Sequence, residues 1–349
     1  MNTRRPANLL IQPEFGIFVG LVVLMIILQG VSHHFFSGGE ISGASTVAST
    51  IGLIGIGVTF LMTSGEFDLS VGTVAAFDGI IMADLVHRGL PPLLALLLAL
   101  LCASAIGAFN GLVTIRFKIP SFITTLGTYF MVDGINYIVT GGYTVDVFGH
   151  GVVWRLLGDQ PKGWPVAAPF VWLVILAVVA MVTLNHTRYG NWLQAAGSRG
   201  GASASAVGVP VKRVKLMNFL LCALLSGLAG CLSLAQNGSI SGGFEQQLNL
   251  VVIVAAVLGG TSLFGGKGSV LGTFIGACVL GVLDTGLVLV GVPGTWYTVA
   301  IGAILIVAVV VNVRLEGLGN NLAIIRQAVR NPSGNGQPHT ERSTKQGAQ

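Results

Sequence analysis

Charge is what this sequence has least of. Asp, Glu, Lys and Arg make up only 9% of its 349 residues, where a soluble globular domain carries roughly 25%. Apolar residues account for 53% and the mean hydropathy is +0.82. This shortfall excludes an ordinary water-solvated domain and points to lipid as the solvent. Cysteine is sparse as well. Cys102, Cys222, Cys231 and Cys278 all lie inside apolar runs and none forms a C-x-x-C pair, which excludes a zinc ribbon or a disulfide framework and leaves them as small buried hydrophobes. No histidine pair has H-x-x-x-H spacing, so no metal is expected. No basic stripe with interleaved aromatics exists, so the formal charge of +5 does not indicate nucleic acid. A phosphate loop is missing too. Residues 265–269 read GGKGS, but the pattern needs Gly where Thr261 stands and Ser or Thr where Gly268 stands.

Long apolar runs are what the chain has instead, with 50 glycines spread through them. Gly is common in membrane helices, where it lets backbones approach closely. A crossing helix needs about 20 mostly apolar residues. Ten candidate segments meet that length approximately: 15–35, 46–64, 71–87, 91–115, 120–139, 166–184, 215–235, 249–264, 269–290 and 295–313. The expected fold class is therefore all-α, a polytopic membrane protein of about ten transmembrane helices. With the N-terminus inside, every basic residue except Arg88, Arg155 and Lys162 falls in a cytoplasmic segment, out of 18. That bias supports the even number of spans and the orientation. Ten spans split into five and five, and any structural repeat between such halves is inverted, although no residue-level repeat is visible. The expected organisation is a cytoplasmic N-terminus over 1–14, a transmembrane domain over 15–313 with a long inside loop at 185–214, and a polar, disordered cytoplasmic tail over 314–349. Before the polar end of that tail, LAIIRQAVR reads as a short amphipathic helix on the inner surface.

Polar residues inside such a chain need a reason. GEFDLSVG (65–72) places Glu66 and Asp68 between two apolar runs, where a carboxylate at membrane depth costs roughly 2.5–3.5 kcal/mol. Gly65 and Gly72 permit a turn, and Ser64, Asp68 and Ser70 are helix-capping types, so the segment reads as a helix break with Asp68 or Ser70 capping the next helix. Asn110, buried on a membrane helix, must hydrogen-bond across to another element. Thr124, Thr125 and Thr128 follow Pro120 and either line a polar path or bond back to carbonyls one turn earlier. A second glycine-interrupted stretch, GGTSLFGGKGSVLG, occupies 259–272. Further acidic residues (Asp78, Asp84, Asp133, Asp284) fall within spans. They leave open a secondary transporter in which membrane carboxylates bind H+ or Na+, beside a purely structural membrane subunit.

Four segments resemble, in order, the permease subunits of ribose/xylose-type sugar ABC importers. GEFDLSVGTVAA resembles that family's G-G-I-D-L-S-V-G-S, although the family usually has Gly where Glu66 stands. GAFNGLVTIRFKIPSFITTLGT (107–128) resembles G-x-x-N-G-x-L-V…I-P-x-F-I-x-T-L-G-T, and TGG (140–142) follows. VLGGTSLFGGKGSVLGTFIGA (257–277) resembles G-G-x-S-x-x-G-G-x-G-x-x-x-G-x-x-x-G-A. The resemblance spans about residues 15–313. It implies a permease without an ATPase site or cofactor of its own, seated in membrane lipid of the bacterial inner membrane with both termini cytoplasmic. Its implied partners are a second permease subunit (a homo- or heterodimer), two cytoplasmic ATP-binding subunits that bind the ATP, and a periplasmic solute-binding protein. It implies a translocation path or helix break at Glu66, Asp68, Ser70, Asn110, Phe122, Thr124, Thr125 and Thr128. It also implies an ATPase-docking segment at Ser198, Arg199, Ala202, Ala204, Ala206, Val207 and Gly208. That segment departs from the family's G-x-N-x-x-A-A-R-x-x-G-I by lacking the Asn and the following Arg. Gly200 and Gly201 weaken a helix there by about 1 kcal/mol each relative to Ala.

Overall fold

The computed structural model describes residues 13–147, 149–161, 163–198, 201–243 and 247–310. The terminal segment 1–12, the tail with its LAIIRQAVR stretch, and the end of the tenth expected span lie outside the described residues.

Apolar runs without proline interruption become helices throughout. In chain order these are α1 (Pro13–Ser32), α2 (Gly38–Thr63), α3 (Val71–His87), α4 (Pro92–Phe117) and α5 (Ser121–Thr140). There follow α6 (Val152–Gly158), α7 (Ala168–His186), α8 (Arg188–Gly197), α9 (Gly201–Ala206), α10 (Val211–Asn237), α11 (Leu248–Leu258), α12 (Val270–Leu289) and α13 (Thr295–Val310). Among the described residues, six of these are long and apolar enough to cross a membrane: α1, α2, α4, α7, α10 and α12. Each of the ten expected segments overlaps one helix, but α3, α11 and α13 have only 17, 11 and 16 residues. Helix ends follow the local chemistry. Pro92 starts α4 where its missing N–H costs nothing, and α5 begins directly after Pro120.

The expectation of an all-helical chain needs one correction. Strands β1 (Thr144–Asp146) and β2 (Ser239–Ser241) pair antiparallel, with Val145 opposite Ile240. The Val147 N–H extends the pairing to the Gly238 carbonyl at 2.7 Å. Three-residue strands show no usable alternation in sequence, so only the meeting of two distant loops reveals them.

Helix α2 is the axis of the molecule. It contacts α7, α10, α11 and α12, while α10 also packs on α3 and α4. In its most apolar stretch 83% of α2 is buried, against 6% in α1, which touches the bundle through α12. Small residues make this density possible. A Cβ on Gly230 of α10 would collide with the Ala75 carbonyl of α3, and one on Gly57 of α2 would lie 2.8 Å from the Cys222 Cα of α10. Without a hydrophobic driving force between helices in lipid, such backbone approach is what holds membrane helices together. The outward faces of α4, α5 and α7 carry Leu97, Leu101, Phe130, Ile138, Val178 and Val179, all more than half exposed in the isolated chain. All four cysteines are free, and Cys222 and Cys231 are buried.

Candidate functional site

The break between α2 and α3 is built by backbone geometry first. Ser64 caps α2, and Gly65 turns the chain with φ +82°. The Gly65 N–H donates to Met62 O at 2.8 Å and the Glu66 N–H to Leu61 O at 3.2 Å. This pair of bonds is the Schellman closure, which favours Gly at the left-handed position. Residues 66–70 then run without regular structure, and their amides need partners. Side chains of α5 supply two of them. Ser121 Oγ accepts from the Phe67 N–H at 3.0 Å, and Thr125 Oγ1 accepts from the Leu69 N–H at 3.1 Å.

Asp68 organises the rest. Its Oδ1 accepts from the Ser70 N–H at 2.7 Å and from Ser70 Oγ at 2.6 Å. Its Oδ2 accepts from Asn110 Nδ2 at 3.3 Å. Asn110 Nδ2 also donates to Ser70 Oγ at 3.0 Å, while Thr128 Oγ1 donates to Asn110 Oδ1 at 2.6 Å. The network joins the break, α4 and α5 in a buried site. Among the described residues no basic side chain pairs with Asp68. Capping of α3 differs from expectation. Ser70 precedes α3 but makes no side-chain cap, because its hydroxyl is turned back to Asp68. The buried first-turn amide of Gly72 is taken instead by Asn249 Oδ1 of α11, at 2.6 Å.

The threonines divide. Thr125 donates to Ser121 O at 2.8 Å and Thr128 shares its proton with Thr124 O at 3.2 Å, the back-bonding read from the sequence. Thr124 is buried but its hydroxyl has no hydrogen-bond partner among the described residues. Phe122 stays out of the network, 54% exposed on the outer side of α5. Glu66 also stands apart from Asp68: it forms an ion pair with Lys215 in the first turn of α10, and both side chains are largely sheltered.

The second glycine-rich stretch repeats the first device. At the end of α11, the Gly260 N–H donates to Val257 O at 2.9 Å and the Thr261 N–H to Ala256 O at 3.0 Å. Ser269 then caps α12 through the Gly272 N–H at 3.0 Å. The two breaks touch. The Gly266 N–H donates to Thr63 O at 2.9 Å, and Thr59 and Thr273 share a hydrogen bond of 2.6 Å. Since they meet on one face, they are not each other's counterparts under an inverted repeat, which would set them on opposite faces.

Helix α8 closes the arrangement. Gly197, its last residue, sits between both breaks. A Cβ there would lie 2.8 Å from Gly266 N and 2.8 Å from the Ser64 carbonyl carbon, and nearer still to Thr63 O. A Cβ on Gly265 would lie 2.5 Å from Gly197 O and 2.9 Å from Gly65 Cα. Gly65, Gly197 and Gly265 thus form a three-way backbone junction. Tyr189 anchors α8 to α10 by donating to Asn218 Oδ1 at 2.7 Å, and burial lifts its phenol to about 12, so it remains a donor. Ser198 ends α8, its hydroxyl donating to Ala195 O at 2.9 Å. Arg199 and the side chain of Ala202 lie outside the described residues. The expected docking segment is helical over Gly201–Ala206 (α9), with Ala204 buried, Ala206 exposed and Val207 81% exposed. It closes on Gly208 at φ +88°. There the Gly208 N–H donates to Ser205 O at 3.2 Å and the Val209 N–H to Ala204 O at 3.1 Å.

Sequence reasoning singled out neither Lys215, Ser121, Asn249, Gly197 nor Gly265 as site residues. Asn249 carries the signal that identified Asn110, an amide within an apolar helix. Gly197 and Gly265 carry none, because their role is an approach between segments far apart in the chain.

The class of protein follows from comparison with known proteins. Residues 41–309 match the family described as branched-chain amino acid transport system / permease component. The chain is 35% identical over 307 residues to the xylose/arabinose import permease of Sulfolobus acidocaldarius, covering 86% of this chain and 84% of that one. It is 32% identical over 302 residues to the ribose import permease of Escherichia coli, covering 84% and 92%. It is 30% identical over 306 residues to the fructose import permease of Rhizobium meliloti, covering 86% and 84%. No solved structure matches. The chain belongs to this family of ABC importer permease components. It is a multi-pass membrane protein and a transport component. The comparisons lend the ion-coupled carrier no support.

Proposed function

We propose that this chain is the membrane-crossing subunit of an ATP-driven importer for a small sugar or closely related polar solute, delivered by a periplasmic binding protein. The observation that carries this reading is the junction at Gly197. There a helix of the 185–214 loop rests on both helix breaks of a chain in the import-permease family. An ATPase gripping α9 would push α8 directly against the end of α2 and the glycine-rich loop before α12, because the nearest atoms facing Gly197 are backbone. Backbone contacts cannot relax by rotamer change, so displacement passes on. Glu66–Lys215 ties the same break to the start of α10.

In this reading the helices make ten crossings of a bacterial inner membrane, five and five, with both termini and the 185–214 loop cytoplasmic, residues 1–14 preceding and 314–349 following the transmembrane domain. Two such permeases, identical or related, share two ATP-binding subunits; the chain itself holds no nucleotide. Ser198, Arg199, Ala202, Ala204, Ala206, Val207 and Gly208 form the docking segment, with Ala206 and Val207 on its exposed side and Ala204 seating it against the chain. Asp68, Ser70, Asn110, Thr125 and Thr128 hold the break as a rigid lever, and Glu66 serves that lever. Thr124 and Phe122 are left to line the path. The similarity to xylose/arabinose, ribose and fructose permeases favours a sugar as cargo.

The test is co-expression with the ATP-binding subunits and the binding protein. Sugar-loaded binding protein should stimulate ATP hydrolysis, and deletion of 198–207 should abolish ATPase capture while the chain still inserts. Normal capture by that deletion, or labelling of 188–215 from the outer side, would refute the assignment.

A further inference from the structure

A cleft of about 460 Å³ with mixed polar and apolar walls opens at the far ends of α2 and α10 from the glycine junction. It is lined by Thr46 and Thr50 of α2, Asn237 of α10, Gln247 before α11, Asp284 of α12 and Tyr297 of α13. Thr50 is thirteen residues from Thr63, about 20 Å at 1.5 Å per residue. Asn237 is 22 residues from Lys215, about 33 Å. The cleft and the junction thus occupy opposite faces of the bundle. Its volume lies within the roughly 300–1,000 Å³ typical of small-molecule sites.

Part of the lining is already engaged: Thr46 donates to Ser42 O and accepts from Gln236, and Asn237 donates to Ser233 Oγ, but a carboxylate and a phenol are left over. Among the described residues Asp284 has no hydrogen-bond or ion-pair partner. The Tyr297 hydroxyl is buried and unpartnered there as well. Gln247 accepts from Thr298 at 3.1 Å through Oε1, which leaves its amide donors available. A buried hydroxyl without a partner costs about 1–3 kcal/mol in the empty protein, a cost that a hydrogen-bonding ligand removes. A carboxylate accepts from two adjacent hydroxyls at once, and the tyrosine ring offers an apolar face beside it. Carboxylate, phenol, amides and hydroxyls together match a neutral molecule dense in O–H groups. The carboxylate repels an anion.

We propose that this cleft is a transient binding site for the transported solute, a neutral polyhydroxylated molecule of monosaccharide size, entered from the face opposite the junction. The inference rests on the importer reading above, and adds a solute site remote from Asp68. Few and weak contacts suit a passage site, since a solute held tightly would not be released.

The experiment uses the complete importer in proteoliposomes, with binding protein and labelled ribose or xylose. Asp284→Asn and the cleft-filling Thr50→Phe should each lower uptake at least tenfold, and Tyr297→Phe several-fold. Binding-protein-stimulated ATP hydrolysis should stay within twofold of wild type. The Asn237→Cys thiol should be protected from maleimide by saturating sugar. Wild-type uptake in all three variants, or no protection, overturns the proposal, as does loss of stimulated hydrolysis together with uptake, which would mark the residues as structural. Dependence of uptake on Na+ or K+ without sugar protection assigns the cleft to a cation and also overturns it. A wild-type complex whose hydrolysis no sugar-loaded binding protein stimulates overturns the importer reading itself, whereas stimulated hydrolysis with unaltered flux overturns only the cleft.

Discussion

Replacing Gly197 by Ala adds one methyl group at the point where three segments meet. Its φ is not in the left-handed region, so Ala fits the backbone conformation and any effect is steric. The new carbon would lie 2.8 Å from Gly266 N and from Ser64 C, and closer to Thr63 O, where Cβ contacts below 3.0 Å are essentially never seen. Every obstructing atom belongs to the backbone, so no side chain can swing aside. Overpacking of this kind costs about 1–3 kcal/mol. The Thr63 carbonyl also holds the 2.9 Å bond from the Gly266 N–H, and losing it adds about 0.5–1.5 kcal/mol. The sum is about 2–4 kcal/mol, enough to lower the thermal midpoint of the detergent-solubilised complex by several degrees. Gly127→Ala and Gly134→Ala on α5 are the controls. Nothing lies within 4 Å of either, and Ala is favoured over Gly in a helix by about 0.8–1.0 kcal/mol, so both should be neutral or stabilising. Uptake should fall in Gly197→Ala while ATPase subunits still co-purify, because the docking surface on α9 is untouched. A Gly197→Ala complex with wild-type midpoint and wild-type uptake would show that the junction bears neither packing nor coupling.

Glu66→Gln and Lys215→Met should each cost about 1–3 kcal/mol, between the values for exposed and buried pairs, and the charge-swapped double variant should recover most of it in a double-mutant cycle; additive losses would refute the pairing. Asn110→Ala leaves Asp68 Oδ2 without its partner, leaves the Thr128 hydroxyl only its bond to Thr124 O and opens a cavity, a loss of about 2–4 kcal/mol, to be read as yield and midpoint, with Asn110→Asp worse still because it faces a second carboxyl group at Asp68. Asn249→Ala removes the cap on the Gly72 amide and should cost about 1 kcal/mol, detectable as faster amide exchange at the start of α3. For Tyr189, the phenol lifted to about 12 by burial makes its stabilising contribution complete below the ordinary value near pH 10 and lost as pH climbs through about 12; Tyr189→Phe should flatten that alkaline decline, and an unchanged curve would remove the phenol from the explanation.

Much of the fold was legible because lipid imposes strong rules. A 9% charged content and apolar runs of near-spanning length locate each helix along the chain, since a backbone in hydrocarbon must satisfy itself internally, although α2 begins at Gly38, eight residues before the expected start, and α11 ends at Leu258, six before the expected end. Asn110 was legible for the same reason: an amide on such a helix cannot stay unpartnered. Glu66 was not, because its partner Lys215 lies 149 residues away and both look alike in sequence as charges near a membrane edge. The sheet formed by β1 and β2 was hidden by its brevity.

The amino-acid order by itself determined which stretches enter lipid, where the helices break and which polar groups must be paired, because those depend on local solvation and backbone conformation. Which pairs form was decided only by tertiary structure. That Asn249 caps α3, that two glycine-rich breaks meet on one face, that Gly197 wedges between them and that Asp284 and Tyr297 share one cleft are all consequences of helices approaching across long sequence separations. A glycine states that a close approach is permitted; only the folded backbone states to what.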